Sequence, residues 1–521
     1  MSAVKRRTGL RKTVALTLAV ALALMLVPAT AGAIPPAACD NRNNDSIRKL
    51  LECVTIEGVR EHQAALQDIA DANGGTRSSG TSGYDASVDY AAGILTDAGY
   101  DVTIQEFDFT FEVDDSTLVQ TTPTSAEYPV FAAQFDESQN GSAAGRLVPV
   151  DVVIPPGAPN SSSSGCEPED FTNAGFQAGD VALIQRGTCA FGLKATNAQA
   201  AGASAVVIFN EGQPGRTGFI IPIGPAPGLT IPVVATDFAN GEAIFNATQA
   251  GEVQVTVTAD FTSEIRQAEN ILAETKHGND DNVVMVGAHL DSVLDGPGIN
   301  DNGSGSGALL DVAQAMRKFE PENTVRFALW GSEEFGLLGS EFYVNSLTPE
   351  EQEDIALYLN FDMIGSPNYV RFVYDGDGSG FGIPGPAGSD SIEDLFTQFY
   401  SDRGLESEET PFDGRSDYGP FIAVGIPAGG LFTGAEGIKT PEQVAIYGGV
   451  ADEQYDQCYH QACDTFDNVA LDVLDLNADS VAFATMTYAK STESLDTAAA
   501  AAPSTLSATQ QFTVRGNKAE G

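Results

Sequence analysis

Residues 283–305 read VVMVGAHLDSVLDGPGINDNGSG, and this stretch decides the fold class of the chain. It begins with the apolar run 283–287, which is typical of a strand buried on both faces of a sheet. The run leads to His289-Leu290-Asp291, and a glycine-rich loop around Asp301 then opens a helical pattern over 308–317. A buried strand followed directly by a helix indicates an α/β fold.

Two later apolar runs also end in carboxylates. Glu333 and Glu334 follow the strand-like run 325–330, and Asp362 follows a further run of the same kind. In open α/β sheets, ligand sites form beyond the carboxyl ends of the strands. We therefore expect these side chains to converge with His289.

Histidine and carboxylate ligands together suit zinc. Two zinc ions about 3.5–4 Å apart need a bridging carboxylate and further ligands on each side. The sequence offers such a set, with Asp301 as the bridge, His289 and Asp362 for one ion, and Glu334 and His460 for the other. Glu333 is then left beside a ligand, where a general base acting on metal-bound water would lie. The alternative for Asp301 is a helix-capping role.

These motifs together resemble the zinc exopeptidases of clan MH, specifically the secreted bacterial di-zinc leucine aminopeptidases. The resemblance covers about 50–118 and 265–490. The matching segments are His289-x-Asp291, Asp301-Asn302, 332–334, 360–363, Tyr459-His460, 73–77, 83–90, 413–417 and 430–434. The middle of the chain resembles a protease-associated (PA) domain, on weaker motifs at 181–189 and 195–210.

The resemblance implies a role for each site residue. The zinc ligands would be His289, Asp301 (bridging), Glu334, Asp362 and His460. Glu333 would deprotonate the bridging water and later protonate the leaving amine, while Asp291 would orient His289. Tyr459 would donate a hydrogen bond to the tetrahedral oxyanion. The Asp301–Asn302 peptide bond is typically cis in this family.

Substrate recognition is implied by the same resemblance. Arg415 falls at a substrate-binding position, and Met363 and Phe432 fall where such enzymes line a hydrophobic pocket. The implied enzyme is a secreted, monomeric aminopeptidase that removes large hydrophobic, leucine-like residues from peptide or protein N-termini. A carboxypeptidase or a glutaminyl-cyclase-like acyltransferase on the same fold is the alternative enzyme. A binding protein on a decayed peptidase fold would require lost ligands, and none is lost.

The implied fold is a three-layer α/β/α zinc-exopeptidase fold with a mixed sheet, interrupted by a small β-rich PA domain. Composition changes divide the chain accordingly into a signal peptide (1–33), a first peptidase segment (40–118), the inserted PA domain (119–262), a second peptidase segment (263–494) and a disordered Ala/Ser/Thr-rich tail (495–521). The inserted domain is expected to contain one helix, over 191–202. Residues 423–431 are strand-like.

The N-terminus and the cysteines both indicate export. Basic residues, an apolar stretch over 14–27 and small-x-small sites make residues 1–33 a secretory signal peptide. No later apolar stretch is long enough to span a membrane. The six cysteines form three local pairs, which predict disulfides rather than free or metal-bound thiols: Cys39/Cys53, Cys166/Cys189 and Cys458/Cys463.

The charge balance excludes several partners. The chain has 72 acidic and 26 basic residues, for a net charge of −46. Nucleic acids and anionic membranes are therefore not expected partners, because both require clustered Lys and Arg.

The remaining polar candidates are weaker. Asp475 and Asp479 lie one helical turn apart, near where some family members bind calcium, but a solvated helix face explains them. The loop 375–380 begins like an EF-hand, yet its twelfth position is a proline and not glutamate, which favours a plain turn. His62 and His277 are both expected to face solvent.

Overall fold

The computed structural model describes residues 36–136 and 139–495. The predicted signal peptide and, apart from Leu495, the predicted tail lie outside the described residues. Within the described stretches of the chain, no helix has both the length and the hydropathy needed to cross a membrane.

Fourteen helices are present in the described ranges. They are α1 Pro36–Asn41, α2 Ile47–Leu51, α3 Ile56–Ala72, α4 Ser82–Ala98, α5 Pro168–Asn173, α6 Phe191–Ala200, α7 Phe238–Ala250, α8 Gly303–Met316, α9 Leu338–Ser346, α10 Pro349–Glu353, α11 Ser389–Ser401, α12 Tyr418–Ala423, α13 Pro441–Tyr447 and α14 Leu471–Lys490.

The same ranges contain eighteen strands. They are β1 Asp101–Asp114, β2 Thr117–Thr122, β3 Ala126–Tyr128, β4 Phe131–Ala132, β5 Gln134–Phe135, β6 Gly141–Val150, β7 Val181–Gln185, β8 Ala205–Phe209, β9 Ile223–Gly224, β10 Val233–Thr236, β11 Gln254–Ala259, β12 Phe261–Glu274, β13 Val283–His289, β14 Val325–Trp330, β15 Ile355–Phe361, β16 Phe372–Tyr374, β17 Glu408–Thr410 and β18 Ala428–Phe432.

The first sheet has eight strands in the order β1-β12-β14-β13-β15-β18-β16-β17. Its centre is parallel, because β13 pairs in parallel with both β14 and β15, and β15 pairs in parallel with β18. The β1–β12 and β12–β14 pairs are antiparallel. The sheet is therefore mixed, as predicted, and the three central strands end at one edge.

Helices cover both faces of this sheet, which confirms the three-layer α/β/α prediction. Alternate residues of β13 point to opposite faces, as the two-residue period of a strand requires. Val284 and Val286 pack in a core with α3, α4, α8, α11 and α14. Val283 and Met285 pack in a second core with α9 and α12, around Trp330. The central strands are thus buried on both sides.

The second sheet is built from residues of the middle segment, in the order β3-β2-β11-β6-β7-β8-β10-β4. The prediction of one helix here was wrong, because α5, α6 and α7 all pack in this segment. Four of the thirteen residues of α7 are Gly, Asn or Thr, which have low helix propensity. Its packing on the sheet outweighs that propensity.

All three predicted disulfides are present: Cys39–Cys53, Cys166–Cys189 and Cys458–Cys463. A smaller expectation was wrong. Residues 423–431 do not form one strand, because α12 runs to Ala423 and β18 begins only at Ala428. Between them Gly425 adopts a left-handed conformation with φ of 90°, which breaks the regular backbone.

The expectation for His62 was also wrong, because it does not face solvent, whereas His277 is exposed as expected. The His62 ring lies between α4 and α8, with Nδ1 2.7 Å from the Tyr90 hydroxyl and Nε2 3.2 Å from Gln314 Oε1. Burial lowers the pKa of His62. The neutral ring therefore serves as a packed, hydrogen-bonded member of the helix layer.

Two helical glycines should respond oppositely to alanine. A Cβ at Gly305 in α8 would lie 2.1 Å from the carbonyl oxygen of Phe361, whereas one at the exposed Gly93 in α4 would meet nothing within 4 Å. We expect Gly305→Ala to lower the free energy of unfolding by about 1–3 kcal/mol through overpacking. Gly93→Ala should raise it by about 0.5–1 kcal/mol. Urea unfolding of both variants checks this, and equal midpoints would contradict the close approach.

Candidate metal centre

The predicted ligands meet at the carboxyl edge of the first sheet. His289 is the last residue of β13 and is level with Trp330 at the end of β14. Glu333 and Glu334 follow β14, and Asp362 follows β15 directly. Because these strands are parallel neighbours, their ends place all four side chains together.

Asp301 lies between the two histidines. Its Oδ1 is 3.2 Å from His289 Nε2, and its Oδ2 is 3.4 Å from His460 Nε2. On one side, His289 Nε2 is also 3.3 Å from Asp362 Oδ1. On the other, His460 Nε2 is 3.0 Å from Glu334 Oε2. One carboxylate thus separates a His–Asp pair from a His–Glu pair.

The donors of this site fit metal ions. Oxygen and nitrogen atoms of His289, Asp301 and Glu334 lie within 4.8 Å of one another, as do those of His289, Glu333 and Asp362. Glu334 Oε1 is buried and has no hydrogen-bond partner among the described residues. A buried carboxylate oxygen without a proton donor is costly unless a cation meets it. Imidazole and carboxylate donors together match the ligand preference of zinc.

The charge around the histidines is strongly negative. Burial disfavours a charged His289, but the carboxylates of Asp362 and Glu333 outweigh burial and raise the pKa of His289 well above its ordinary value. His460 has its pKa raised to about 11, since Glu334 and Asp301 outweigh burial there too. The site therefore favours bound positive charge.

Glu333 belongs to this group through its position beside His289. Its Oε2 is 4.0 Å from His289 Nε2, and its backbone N–H donates to Asp291 Oδ1 at 3.2 Å. Burial raises the pKa of Glu333 well above its ordinary value, and the charge of Asp362 adds to this effect although His289 opposes it. A carboxylate that holds a proton readily is suited to general acid–base chemistry.

Asp291 contacts His289 chiefly through its backbone. His289 Nδ1 is 3.2 Å from the Asp291 carbonyl oxygen and 3.6 Å from its Oδ1. The Asp291 carboxylate instead accepts the Glu333 N–H. Asp291 therefore links the loop after β13 to the loop after β14.

The backbone is strained at three points of the site. Ser332, Met363 and His460 have φ angles of 54°, 49° and 56°, a left-handed region that residues other than glycine rarely adopt. Each is a site residue or directly adjacent to one. Such conformations persist only where the surrounding structure enforces them.

Arg77 enforces some of this structure. The resemblance marked its segment 73–77 but implied no role for this side chain. The side chain is fully buried and donates to the backbone carbonyl groups of Pro297 (2.8 Å), Gly298 (2.7 Å) and Leu290. These carbonyls belong to the loop between His289 and Asp301. Burial lowers the pKa of Arg77 to about 10, so it stays charged at neutral pH. One guanidinium thus fixes the loop that joins two candidate ligands.

Asp464 fixes Asp301 from the other side. Its carboxylate accepts the backbone N–H groups of Asn300 at 2.8 Å and Asp301 at 3.0 Å. It directly follows Cys463, so the disulfide loop that carries His460 also holds the backbone of Asp301. The acidic residue next to a paired cysteine is the only sequence signal for this role.

Two small polar residues position the remaining groups. Asn302 caps α8 by accepting the Gly305 N–H, and its amide donates to the Phe361 carbonyl at 2.9 Å. The Asp301–Asn302 bond is cis, as the resemblance implied. Ser416 Oγ donates to Asp362 Oδ2 at 2.7 Å and so orients that carboxylate. The resemblance predicted substrate binding for the neighbourhood of Arg415, and it did not predict the hydrogen bond from Ser416 to Asp362.

A cleft opens beside these residues, and its lining includes Met363, Arg415, Phe432 and Tyr459. Arg415 Nη1 donates to Glu436 at 2.7 Å, and its Nη2 lies 3.4 Å from the Tyr459 hydroxyl. The Tyr459 ring stacks on His460 with 3.8 Å between ring centroids. The predicted pocket and oxyanion residues therefore share one cavity with the predicted ligands.

Known proteins match this chain over most of its length. The Peptidase family M28 model matches residues 270–485, and the PA domain model matches residues 143–244. An aminopeptidase of Pseudomonas aeruginosa (strain UCBPP-PA14) is 45% identical over 504 residues, or 94% of this chain and 93% of the relative. Leucine aminopeptidase 2 of Trichophyton rubrum is 44% identical over 337 residues, or 65% of this chain and 67% of the relative.

The fold also matches a solved structure. BSAP, a zinc aminopeptidase from Bacillus subtilis, superposes with a TM-score of 0.54 at 24% identity. The match covers 84% of this chain and 96% of that chain.

Removing the Arg77 guanidinium should loosen the metal centre. We expect Arg77→Met to lower the free energy of unfolding by at least about 2 kcal/mol, because three buried carbonyl groups lose their donor. Its zinc content after dialysis should fall as well. Arg48→Met is the control, since that side chain is 77% exposed and should change stability by less than about 0.5 kcal/mol. Equal unfolding midpoints for the two variants would contradict the role of Arg77.

Proposed function

The chain belongs to peptidase family M28 and is an aminopeptidase, and we propose that it uses two zinc ions to remove leucine-like residues from peptide N-termini outside the cell. The observation that carries the two-zinc proposal is the position of Asp301, which turns one oxygen toward each histidine. That is the arrangement expected of a bridging carboxylate.

Five residues would hold the ions: His289, Asp301, Glu334, Asp362 and His460. When bound, zinc polarises the scissile carbonyl group and lowers the pKa of water. Ser416 and Asp464 would keep Asp362 and Asp301 in their orientations through the hydrogen bonds described above.

Glu333 would move the proton. Its carboxylate would take a proton from the attacking water and deliver it to the leaving amine, so that the peptide C–N bond breaks without a covalent acyl-enzyme. The raised pKa of Glu333 supports this role. Tyr459 lies in the same cleft, where its hydroxyl would donate a hydrogen bond to the oxyanion.

The cleft supports a preference for large apolar side chains. Met363 and Phe432 line it together with Leu337 and Tyr374. Carboxylates also face the cleft, and these would attract a protonated α-amino group. Apolar walls beside acidic groups fit a free N-terminal leucine better than a blocked or acidic one.

Export is supported by two independent features. Three disulfides are present, and such bonds persist chiefly in oxidising environments outside the cytoplasm. Residues 1–33 carry the sequence pattern of a signal peptide.

Hydrolysis of leucine, glycine and N-acetyl-leucine anilides, with metal analysis of the enzyme, tests the proposal. We expect cleavage of leucine anilide only when its amine is free, and about two zinc ions per chain. Because burying a leucine side chain contributes about 1.5–3 kcal/mol, leucine should exceed glycine by at least about tenfold in kcat/KM. Zinc without cleavage of the free-amine compound would contradict the substrate and favour the carboxypeptidase or cyclase alternative.

The role of Glu333 is tested by Glu333→Gln. This variant should keep its zinc but lose turnover by about 100-fold or more, because an amide cannot accept the proton. Glu341→Gln, the same change at an exposed position on α9, should keep full turnover. Near-normal turnover would contradict the assignment, and a parallel loss of zinc would make Glu333 a ligand instead.

A further inference from the structure

A second group of carboxylates lies at the far side of the cleft wall. Asp375 and Asp377 belong to the loop between β16 and α11, Glu393 projects from α11, and Glu409 lies in β17. Oxygen atoms of Asp375, Asp377 and Glu393 lie within 4.8 Å of one another. Glu409 Oε1 accepts a hydrogen bond from Ser379 of the same loop at 3.1 Å.

Asp375 has a buried carboxylate oxygen that lacks a hydrogen-bond donor among the described residues. Its side chain is fully buried. Its Oδ2 accepts the Phe381 N–H at 2.8 Å, but its Oδ1 has no hydrogen-bond partner in the described stretches of the chain. A buried carboxylate oxygen left in this way costs free energy unless a cation neutralises it. Within this group of carboxylates, that makes a cation the missing partner.

No protein cation supplies the charge. Among the described residues, none of the four carboxylates forms a salt bridge with lysine, arginine or histidine. Burial raises the pKa of Glu393 to about 7; the backbone N–H groups of Asp377 and Gly376 oppose this effect, and the charges of Asp377 and Glu409 add to it. Hydrogen bonds moderate the repulsion among the four carboxylates, but no charged side chain of the described residues neutralises it.

The loop between β16 and α11 packs closely against these carboxylates. A Cβ at Gly380 would lie 2.0 Å from Glu409 Oε2, and one at Gly376 would lie 2.1 Å from the Ser389 carbonyl oxygen. The backbone N–H groups of Gly376 and Asp377 both donate to Glu393 Oε2, at 2.8 and 3.1 Å. Both bonds go to the same oxygen, and among the described residues the other Glu393 oxygen accepts no hydrogen bond, so it could bind a ligand.

We propose that Asp375, Asp377 and Glu393 bind a calcium ion. The donors are all oxygen atoms, with no histidine or cysteine to favour zinc. Calcium takes six to eight oxygen ligands in flexible geometry, with carbonyl groups and water completing the shell. The plain-turn interpretation counted ligands within a single EF-hand loop. Here the carboxylate missing at the twelfth position comes instead from Glu393, on the following helix.

The ion would connect α11 to the loop that follows β16, a strand at the wall of the cleft. Asp375 directly follows Tyr374, and its backbone N–H donates to the Thr410 carbonyl at 2.9 Å. Tyr374 and Thr410 both line the cleft. Calcium would thus stabilise the β16–β17 edge and α11 against each other, and its main effect would be on thermal stability.

Calcium chloride titrated into the zinc-loaded, calcium-free enzyme tests the site by isothermal titration calorimetry. Zinc keeps the histidine centre occupied, so binding reports on other sites and does not depend on peptidase activity. We expect one site with Kd of about 10⁻⁴ to 10⁻³ M, as in extracellular calcium modules, and a melting temperature that rises with calcium. Absence of binding up to ten times the upper value would overturn the proposal.

Two variants locate the ion. Asp377→Asn removes an exposed ligand and leaves the buried Asp375 in place, so the fold should persist. Glu393→Gln replaces a half-buried group with a neutral one of the same shape. Each should weaken calcium binding by about tenfold or more, because ligand charge sets affinity. Asp475→Asn, the same change on α14, should bind as wild type. Unchanged binding in the first two variants, or loss only in Asp475→Asn, would overturn the assignment.

Discussion

Buried negative charge at the carboxyl edge of the first sheet is the constraint on which the rest of the centre depends. Five carboxylates converge there: Asp291, Asp301, Glu333, Glu334 and Asp362. The first two are buried, and the last three are only slightly accessible to solvent. Two like charges about 4 Å apart repel by about 4 kcal/mol at an effective dielectric constant of 20. Two imidazoles and one guanidinium offset some of this repulsion. Cations bound there would offset the remainder, which would couple metal binding to folding in this region.

Because of that repulsion, the segments that carry these carboxylates need contacts that hold their backbone in place. Arg77 holds the loop after β13 by its carbonyl groups, and Asp464 holds Asp301 by its N–H groups. The disulfide Cys458–Cys463 closes the segment that carries His460. These contacts act on the backbone and not on the side chains of the candidate ligands. The left-handed residues Ser332, Met363 and His460 lie where the clamped segments turn into the site.

Sequence patterns could predict that the candidate ligands on the central strands meet, because each follows an apolar run and parallel neighbours end at the same edge. They could not reveal the role of Arg77, because the sequence does not show whether an arginine is buried or which loop it contacts. His62 was misplaced for a similar reason: its partners Tyr90 and Gln314 come from other helices. The sequence of the loop 375–380 does not reveal Glu393 as a neighbour of Asp375, because only folding brings α11 to this loop. Local periodicity predicts elements, whereas tertiary contacts decide what a polar side chain does.

The segment that forms the second sheet is inserted at the edge of the first sheet, away from the metal centre. The chain leaves the first sheet at Asp114 in β1 and returns at Phe261 in β12, and these two residues are paired in register. Strand β1 is an edge strand, separated from β13 by β12 and β14. A long segment that begins and ends at adjacent points of an edge interrupts no central strand pair, so it leaves the strand ends that carry the candidate ligands in place. Insertion at β13, β14 or β15 would instead separate residues that must stay within a few ångströms of one another.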